Sequence, residues 1–307
     1  MDLAIMVEGQ NGLNWPRWQR IARAVEDLGF VGLYRSDHFT NMNPPDLDSL
    51  ELWVSLAWLA THTTRIEFGP LATPVSFRHP TLTARMARDV DDLSGGRLHL
   101  GVGAGWQERE HSHFGHPLLG VKARMDRFEE GLEVMIRLLR SDVPVSFEGT
   151  YFTLREAILL PRPARPGGPP ILVGGNGERR TLRLAAQYAS MWNGVFATPT
   201  EYRRLNQLLD QYLIEAGRQP GEVHRSLMTG IVFARDDAGV KRRLIERGRT
   251  ADEQRARGVI VGTAGAAVDQ LGELAAAGCQ RVMLQWLDLD DLDGLEALAR
   301  DVLPHYQ

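Results

Sequence analysis

Residues Trp15–His38, WPRWQRIARAVEDLGFVGLYRSDH, contain a helix, a stop and a strand in succession. Pro16 suits a first helical turn. Ile21, Ala22, Val25 and Leu28 make one apolar stripe, so Trp15–Leu28 reads as an amphipathic helix. Gly29 ends it. The apolar run Phe30-Val31-Gly32-Leu33-Tyr34 then reads as a buried strand. It runs out into Arg35-Ser36-Asp37-His38, which places an Asp–His pair where a strand meets a loop. An acid beside an imidazole can orient the ring, fix its tautomer and tune its proton affinity. A plain turn capped by Asp37 would use the same residues.

The same unit recurs along the 307 residues. Candidate strands are Leu3–Val7, Val31–Arg35, Ile66–Leu71, Leu98–Val102, Ile171–Val173, Met191–Val195, Leu227–Ala234 and Val282–Trp286. Candidate helices are Trp15–Leu28, Ser49–Thr63, Thr81–Leu93, Lys122–Leu139, Glu178–Tyr188, Thr200–Ala216, Gly239–Arg247, Ala264–Ala277 and Leu292–Val302. Alternation of this kind implies parallel strands with right-handed crossovers. Eight strands in this order favour a closed (β/α)8, TIM-like barrel over an open sheet, as one domain over 1–307. Such barrels often run to ~250 residues or more. Residues Ser141–Pro170 break the rhythm between strands 4 and 5. They contain a hairpin, Val145–Leu154, around Glu148-Gly149, then a Pro/Gly-rich stretch. An insertion of that length suits covering a site or contacting a neighbour, or serves as a spacer.

Composition narrows the function. Hydrophobic residues make up 43% of the chain, enough for a large buried core. A net charge of −4 argues against nucleic acid as a partner. The single cysteine, Cys279, excludes an intrachain disulfide and reads as a packed residue. No stretch reaches the ~20 apolar residues of a membrane span, so no membrane partner is expected. The chain opens directly into a strand pattern, and a cytoplasmic location is the expectation.

Chemistry in a parallel barrel sits at the C-terminal strand ends. The second end supplies Asp37 and His38. The third leads into Gly69-Pro70-Leu71-Ala72-Thr73-Pro74-Val75-Ser76-Phe77-Arg78-His79-Pro80, backbone suited to pressing on a flat ligand. The fourth, Gly101-Val102-Gly103-Ala104-Gly105-Trp106-Gln107, lets a ligand approach the chain closely. The fifth, Gly174-Gly175-Asn176-Gly177-Glu178-Arg179-Arg180, runs a glycine turn into a helix N-terminus. That is a ready phosphate site, provided Glu178 faces away. Glu110-His111-Ser112-His113-Phe114-Gly115-His116 has the look of a zinc cluster, but apart from Asp37-His38 no matching carboxylate or histidine array stands at other strand ends, and no metal is expected.

Together these stretches, with Ser94-Gly95-Gly96-Arg97 and Gly262-Thr263, resemble the bacterial luciferase-like family of flavin and deazaflavin oxidoreductases. The resemblance covers essentially the whole chain and is nearest the F420-dependent branch. It implies a barrel with an insertion, a homodimer, and a tricyclic cofactor over the C-terminal face: coenzyme F420, or FMN in a monooxygenase using reduced flavin and oxygen. A non-catalytic flavin-binding protein is a further alternative. It implies that His38 lies near the reactive ring carbon, accompanied by Asp37. It also implies that Leu71-Ala72 form a non-prolyl cis peptide behind the ring, and that the Gly174–Arg180 turn holds the cofactor phosphate. Gly103 and Gly105 would line the ring. Trp106 and Phe77 would shape the pocket for a small organic substrate, with Glu8 and Gln10 as reserve polar groups. Trp106 stands where sugar-phosphate dehydrogenases of the family carry a catalytic glutamate. Gln107 replaces a frequent asparagine.

Overall fold

The computed structural model describes residues 1–306. Eight strands run parallel: β1 (Asp2–Val7), β2 (Gly32–Arg35), β3 (Glu67–Pro70), β4 (Leu100–Gly103), β5 (Ile171–Gly174), β6 (Met191–Val195), β7 (His224–Phe233) and β8 (Arg281–Gln285). Each except β3 pairs with its successor, and β8 pairs back with β1. The seam between β3 and β4 is the thinnest. It is held by a bridge from Phe68 to Leu98 and by the two-residue strand Thr73–Pro74 beside Val102 and Gly103. With that seam the sheet closes into the expected barrel. Glycine is required on both sides of it, because a Cβ at Gly69 would overlap the His99 carbonyl oxygen and one at Gly101 the Pro70 carbonyl oxygen.

Strand alternation sorts the core into two layers. Leu3, Ile5 and Val7 of β1 face outward into the main core beneath the helices. Ala4 and Met6 face inward, where they meet Tyr34, Leu172, Met191, Met228 and Met283. The outer ring includes α1 (Trp15–Asp27), α2 (Leu52–His62), α3 (Pro80–Ser94), α4 (Glu108–His113), α5 (Val121–Arg140) and α6 (Thr181–Tyr188). It continues with α7 (Pro199–Glu215), α8 (Asp237–Glu246), α9 (Ala251–Ala256), α10 (Ala264–Ala276) and α11 (Leu292–Val302). In α1 the Asn14 side chain caps the first turn, and Trp18, Ile21, Ala22 and Val25 are the buried stripe.

Several elements differ from the sequence expectation. Helix α2 begins at Leu52 rather than Ser49, because the Glu51 carboxylate caps it through the Val54 amide. Helix α6 begins at Thr181 rather than Glu178, and the hairpin's second strand extends to Ala157. Two short helices, α4 and α9, and the strand Ile260–Gly262 beside β7 were not expected. Six or three residues carry no readable period. No residue of the insertion lines the cavity at the C-terminal strand ends. Its hairpin buries Phe152 and Leu154, and Arg162 donates to the Leu138 and Leu139 carbonyls at the end of α5. Arg165 pairs with the buried Asp91 of α3 at 3.2 Å.

The opposite, N-terminal floor of the barrel is polar. Tyr34 hydroxyl and His99 Nδ1 lie 2.7 Å apart, and Arg281 donates to the same hydroxyl while pairing with Asp2 and Glu67. Burial pushes the His99 imidazole down to about 4. The unfolded chain takes up this proton near pH 6.5, whereas the native chain does so only near pH 4. His99 therefore costs stability as pH falls through that window, by roughly 3 kcal/mol in all. Urea unfolding at pH 7 and pH 4.5 should show this loss in the native chain and a smaller one in His99→Gln. Equal losses would mean that folded His99 titrates normally.

Candidate active site

A cavity of about 570 Å³ opens at the C-terminal strand ends. Its walls come from successive strands: Met6 and Glu8 from β1, Ser36, Asp37 and His38 after β2, Leu71, Ala72 and Pro74 after β3, and Gly103 to Trp106 from β4. Gly174 and Gly175 follow β5, Asn193, Val195 and Phe196 come from β6, and Met228 from β7. The Leu71–Ala72 peptide is cis. A Cβ at Gly103 would sit 3.7 Å from the Ala72 methyl, so Gly103 and the cis peptide pack side by side in the cavity wall. Phe196 lies at φ 47°, an uncommon conformation for a bulky residue and one that clusters at functional sites.

His38 does not take its partner from the neighbouring acid. Its Nδ1 lies 2.8 Å from Glu110 Oε1, and Glu110 Oε2 accepts from the Phe39 amide at 2.9 Å. Glu110 is 1% exposed. Asp37 points elsewhere, accepting from Thr73 Oγ1 at 2.7 Å and from Arg78, whose other arm reaches Glu51. An Arg guanidinium is the stronger competitor for a buried carboxylate. Burial pulls the His38 imidazole downward, but the hydrogen bond and charge of Glu110, then Glu8 and Asp37, outweigh it and hold the ring above its ordinary range.

Glu8 stays at the wall, accepting from Gln285 at 2.6 Å and from Gln10 at 3.0 Å. Gln10 is spent on that bond and on Ser36, and does not line the cavity. Phe77 also lies outside it. Its ring packs among Phe39, His111 and His116 at 4.8–5.0 Å, an aromatic cluster behind the wall. Trp106 lies at the mouth, 57% exposed, edge-on to His38 at 5.6 Å. Gln107 turns away and binds Thr40. At Gly105, a Cβ would meet Ser76 and His111.

The β5 turn divides. Gly174 and Gly175 reach the cavity, whereas Asn176, Gly177, Arg179 and Arg180 do not line it. The Asn176 amide bridges the Val195 N–H and carbonyl, tying the turn to β6. Arg180 pairs with Asp126 and Glu129 at 2.8 and 3.1 Å, and Arg179 is solvent-exposed. Glu178 faces outward to Arg204. Both nitrogens of His111 are engaged, by Gln107 O and Ser76 Oγ. Among the described residues, no three His, Cys, Asp or Glu side chains group to hold a metal. Among them too, no helix is long and apolar enough to cross a membrane. Cys279 is buried, with its thiol pushed up to about 12 by burial.

Two wall residues had no role in the sequence expectation. Glu110 stands within the histidine-rich stretch of α4, and nothing in its local pattern marks it as the partner of His38, 72 positions away. Asn193 is a fully buried amide in an apolar strand. It donates to Ser226, but its Oδ1 has no partner. An unpartnered buried acceptor at a cavity wall calls for a donor.

A parallel barrel with an imidazole–carboxylate pair in the wall of an apolar cavity at the C-terminal strand ends has the form of a small-molecule binding site. The chain matches the luciferase-like monooxygenase family over residues 3–256 and belongs to that family. It is 34% identical over 175 residues to an F420-dependent hydroxymycolic acid dehydrogenase of Mycobacterium tuberculosis (strain ATCC 25618 / H37Rv), covering 56% of this chain and 46% of that one. It is 32% identical over 179 residues to a 4-hydroxyprotoasukamycin monooxygenase of Streptomyces nodosus subsp. asukaensis, covering 58% and 47%. These matches thus span about half the length of those relatives. An F420-dependent glucose-6-phosphate dehydrogenase of Intrasporangium calvum is 26% identical, with 91% of each chain covered. Among solved structures, an F420-dependent secondary alcohol dehydrogenase with an F420-acetone adduct superposes with TM-score 0.87 at 20% identity, over 100% of this chain and 99% of that one. Likeness at that identity establishes the fold.

Proposed function

We propose that this protein is an F420-dependent oxidoreductase exchanging hydride with a small organic substrate. The observation that carries the reading is the largely apolar cavity at the C-terminal strand ends, lined by the cis Leu71–Ala72 peptide, Gly103 and His38. A cavity of about 570 Å³ has room for a flat tricyclic ring, and the unpartnered Asn193 Oδ1 suits a ring N–H. When bound, the deazaflavin supplies hydride transfer at its central ring carbon. The chain's residues supply the rest. His38 gives or takes the accompanying proton, Glu8 presents a fixed acceptor, and Trp106 walls the substrate side. Gly174 and Gly175 bring backbone to the cavity, and the Asn176–Arg180 turn beyond them is where a phosphate-bearing tail would leave. The open pocket counts against a purely non-catalytic carrier. The Trp106 mouth, open to solvent, suits hydride transfer better than shielding an oxygen adduct from water.

Fluorescence titration of the purified chain should give micromolar F420 binding and at least tenfold weaker FMN binding. The reverse order would move the assignment to an FMN-dependent monooxygenase, and binding of neither would overturn it.

A homodimer fits one outer face. Helix α2 is apolar around its circumference, yet Val54 is 58% exposed and Trp58 lies beside the exposed Trp15. Leu82 and Leu93 of the adjoining α3 are also exposed, and Arg85 and Asp89, one turn apart, would pair across two antiparallel copies. Light scattering should report a dimer, and Val54→Glu with Leu82→Glu a monomer of unchanged fold. A monomeric native chain would sink this assembly.

A further inference from the structure

We propose that Glu110 is the positioning residue for His38: its carboxylate holds the ring as the Nδ1–H tautomer, leaves Nε2 for the pocket, and stabilises the ring once protonated. The assignment rests on the reading of His38 as the proton-transfer group. Three observations carry it. Glu110 is 1% exposed, so its charge is set against the ring with little water between them. Oε1 meets His38 Nδ1 at 2.8 Å, which leaves Nε2 as the ring nitrogen still to be used. Oε2 takes the Phe39 amide, so one carboxylate clamps both the ring and the backbone that follows it. A group held at both oxygens cannot swing away as the ring changes charge.

The other charges around the ring do not replace it. Asp37 is committed to Thr73 and Arg78, and Glu8 to Gln285 and Gln10. On α4 itself, His111 has both nitrogens engaged. Trp106 presents only a ring edge. Among the described residues, Glu110 is therefore the one group that both bonds the imidazole and opposes its charge. Glu110→Gln keeps an acceptor oxygen but removes the charge. Glu110→Asp keeps the charge at a shorter reach.

The test is nitrogen and carbon NMR of histidine-labelled protein, with the His38 signal assigned by its loss in His38→Asn. The native ring should be Nδ1–H when neutral. Its proton affinity should fall tenfold or more in Glu110→Gln and recover in part in Glu110→Asp. An Nε2–H ring in the native chain, or a midpoint unmoved in Glu110→Gln, would overturn the assignment. If Glu110→Gln fails to fold, the native tautomer and the Glu110→Asp midpoint decide the same question. F420 fluorescence titration of the same samples should show native affinity within about threefold. Absence of F420 binding in every sample would remove the oxidoreductase reading while the NMR result still decides the role of Glu110.

Discussion

His38→Asn is expected to lower turnover by two to four orders of magnitude while F420 affinity changes less than about threefold. The ring is one of many residues lining the pocket, so it contributes little area to binding. Its chemistry is another matter. Where hydride exchange with the organic substrate also moves a proton, His38 is the group to carry it, since it lines the pocket and its proton affinity is raised above the ordinary range. Asparagine keeps polarity and approximate size but cannot titrate. Steady-state rates on a panel of small organic hydride donors and acceptors, beside fluorescence titration of F420, separate the two effects. Equal losses in rate and affinity would make His38 a ring contact instead. The raised ring also sets a sign: with His38 as acid, activity persists above its ordinary range and falls as pH rises through the raised value.

The second large effect lies at the barrel seam. Gly69→Ala or Gly101→Ala is expected to cost about 3 kcal/mol or more, enough to threaten folding. In each case the new methyl meets a backbone carbonyl oxygen on the facing strand, which cannot move without opening the ring. The bridge from Phe68 to Leu98 is the connection that would give way. Gly272→Ala supplies the contrast. It lies within α10, where the nearest atom to the new methyl would be the Tyr306 hydroxyl at 3.9 Å, so it should gain roughly 0.5–1 kcal/mol of stability. Urea midpoints compare the three variants. A seam variant with a midpoint near the native one would show that β3 and β4 are not held this closely.

The seam also shows what a sequence conceals. Gly69 and Gly101 lie 32 positions apart, and neither carries a sign that it faces the other's strand. Asp37 illustrates the same limit within a single motif. Its adjacency to His38 suggests a pair, but the backbone after β2 turns it toward Arg78, 41 positions away. Phe77 is apolar and follows a strand end, as a pocket residue would. Its ring is drawn instead into the cluster of Phe39, His111 and His116.

The sequence by itself determined the alternation of strand and helix, the parallel barrel class and most of the strand ends that carry polar residues. Those features arise from contacts two to four residues apart, and a local period records them. Only the tertiary structure decided that the ring closes at Phe68 and Leu98, that Glu110 holds His38, that Asn176 is spent on Val195, and that Asn193 keeps an unpartnered acceptor at the wall. Each is a meeting of loops or strands distant in the chain. Which side chain reaches which is fixed by where the closed barrel brings them together, and no local pattern encodes that distance.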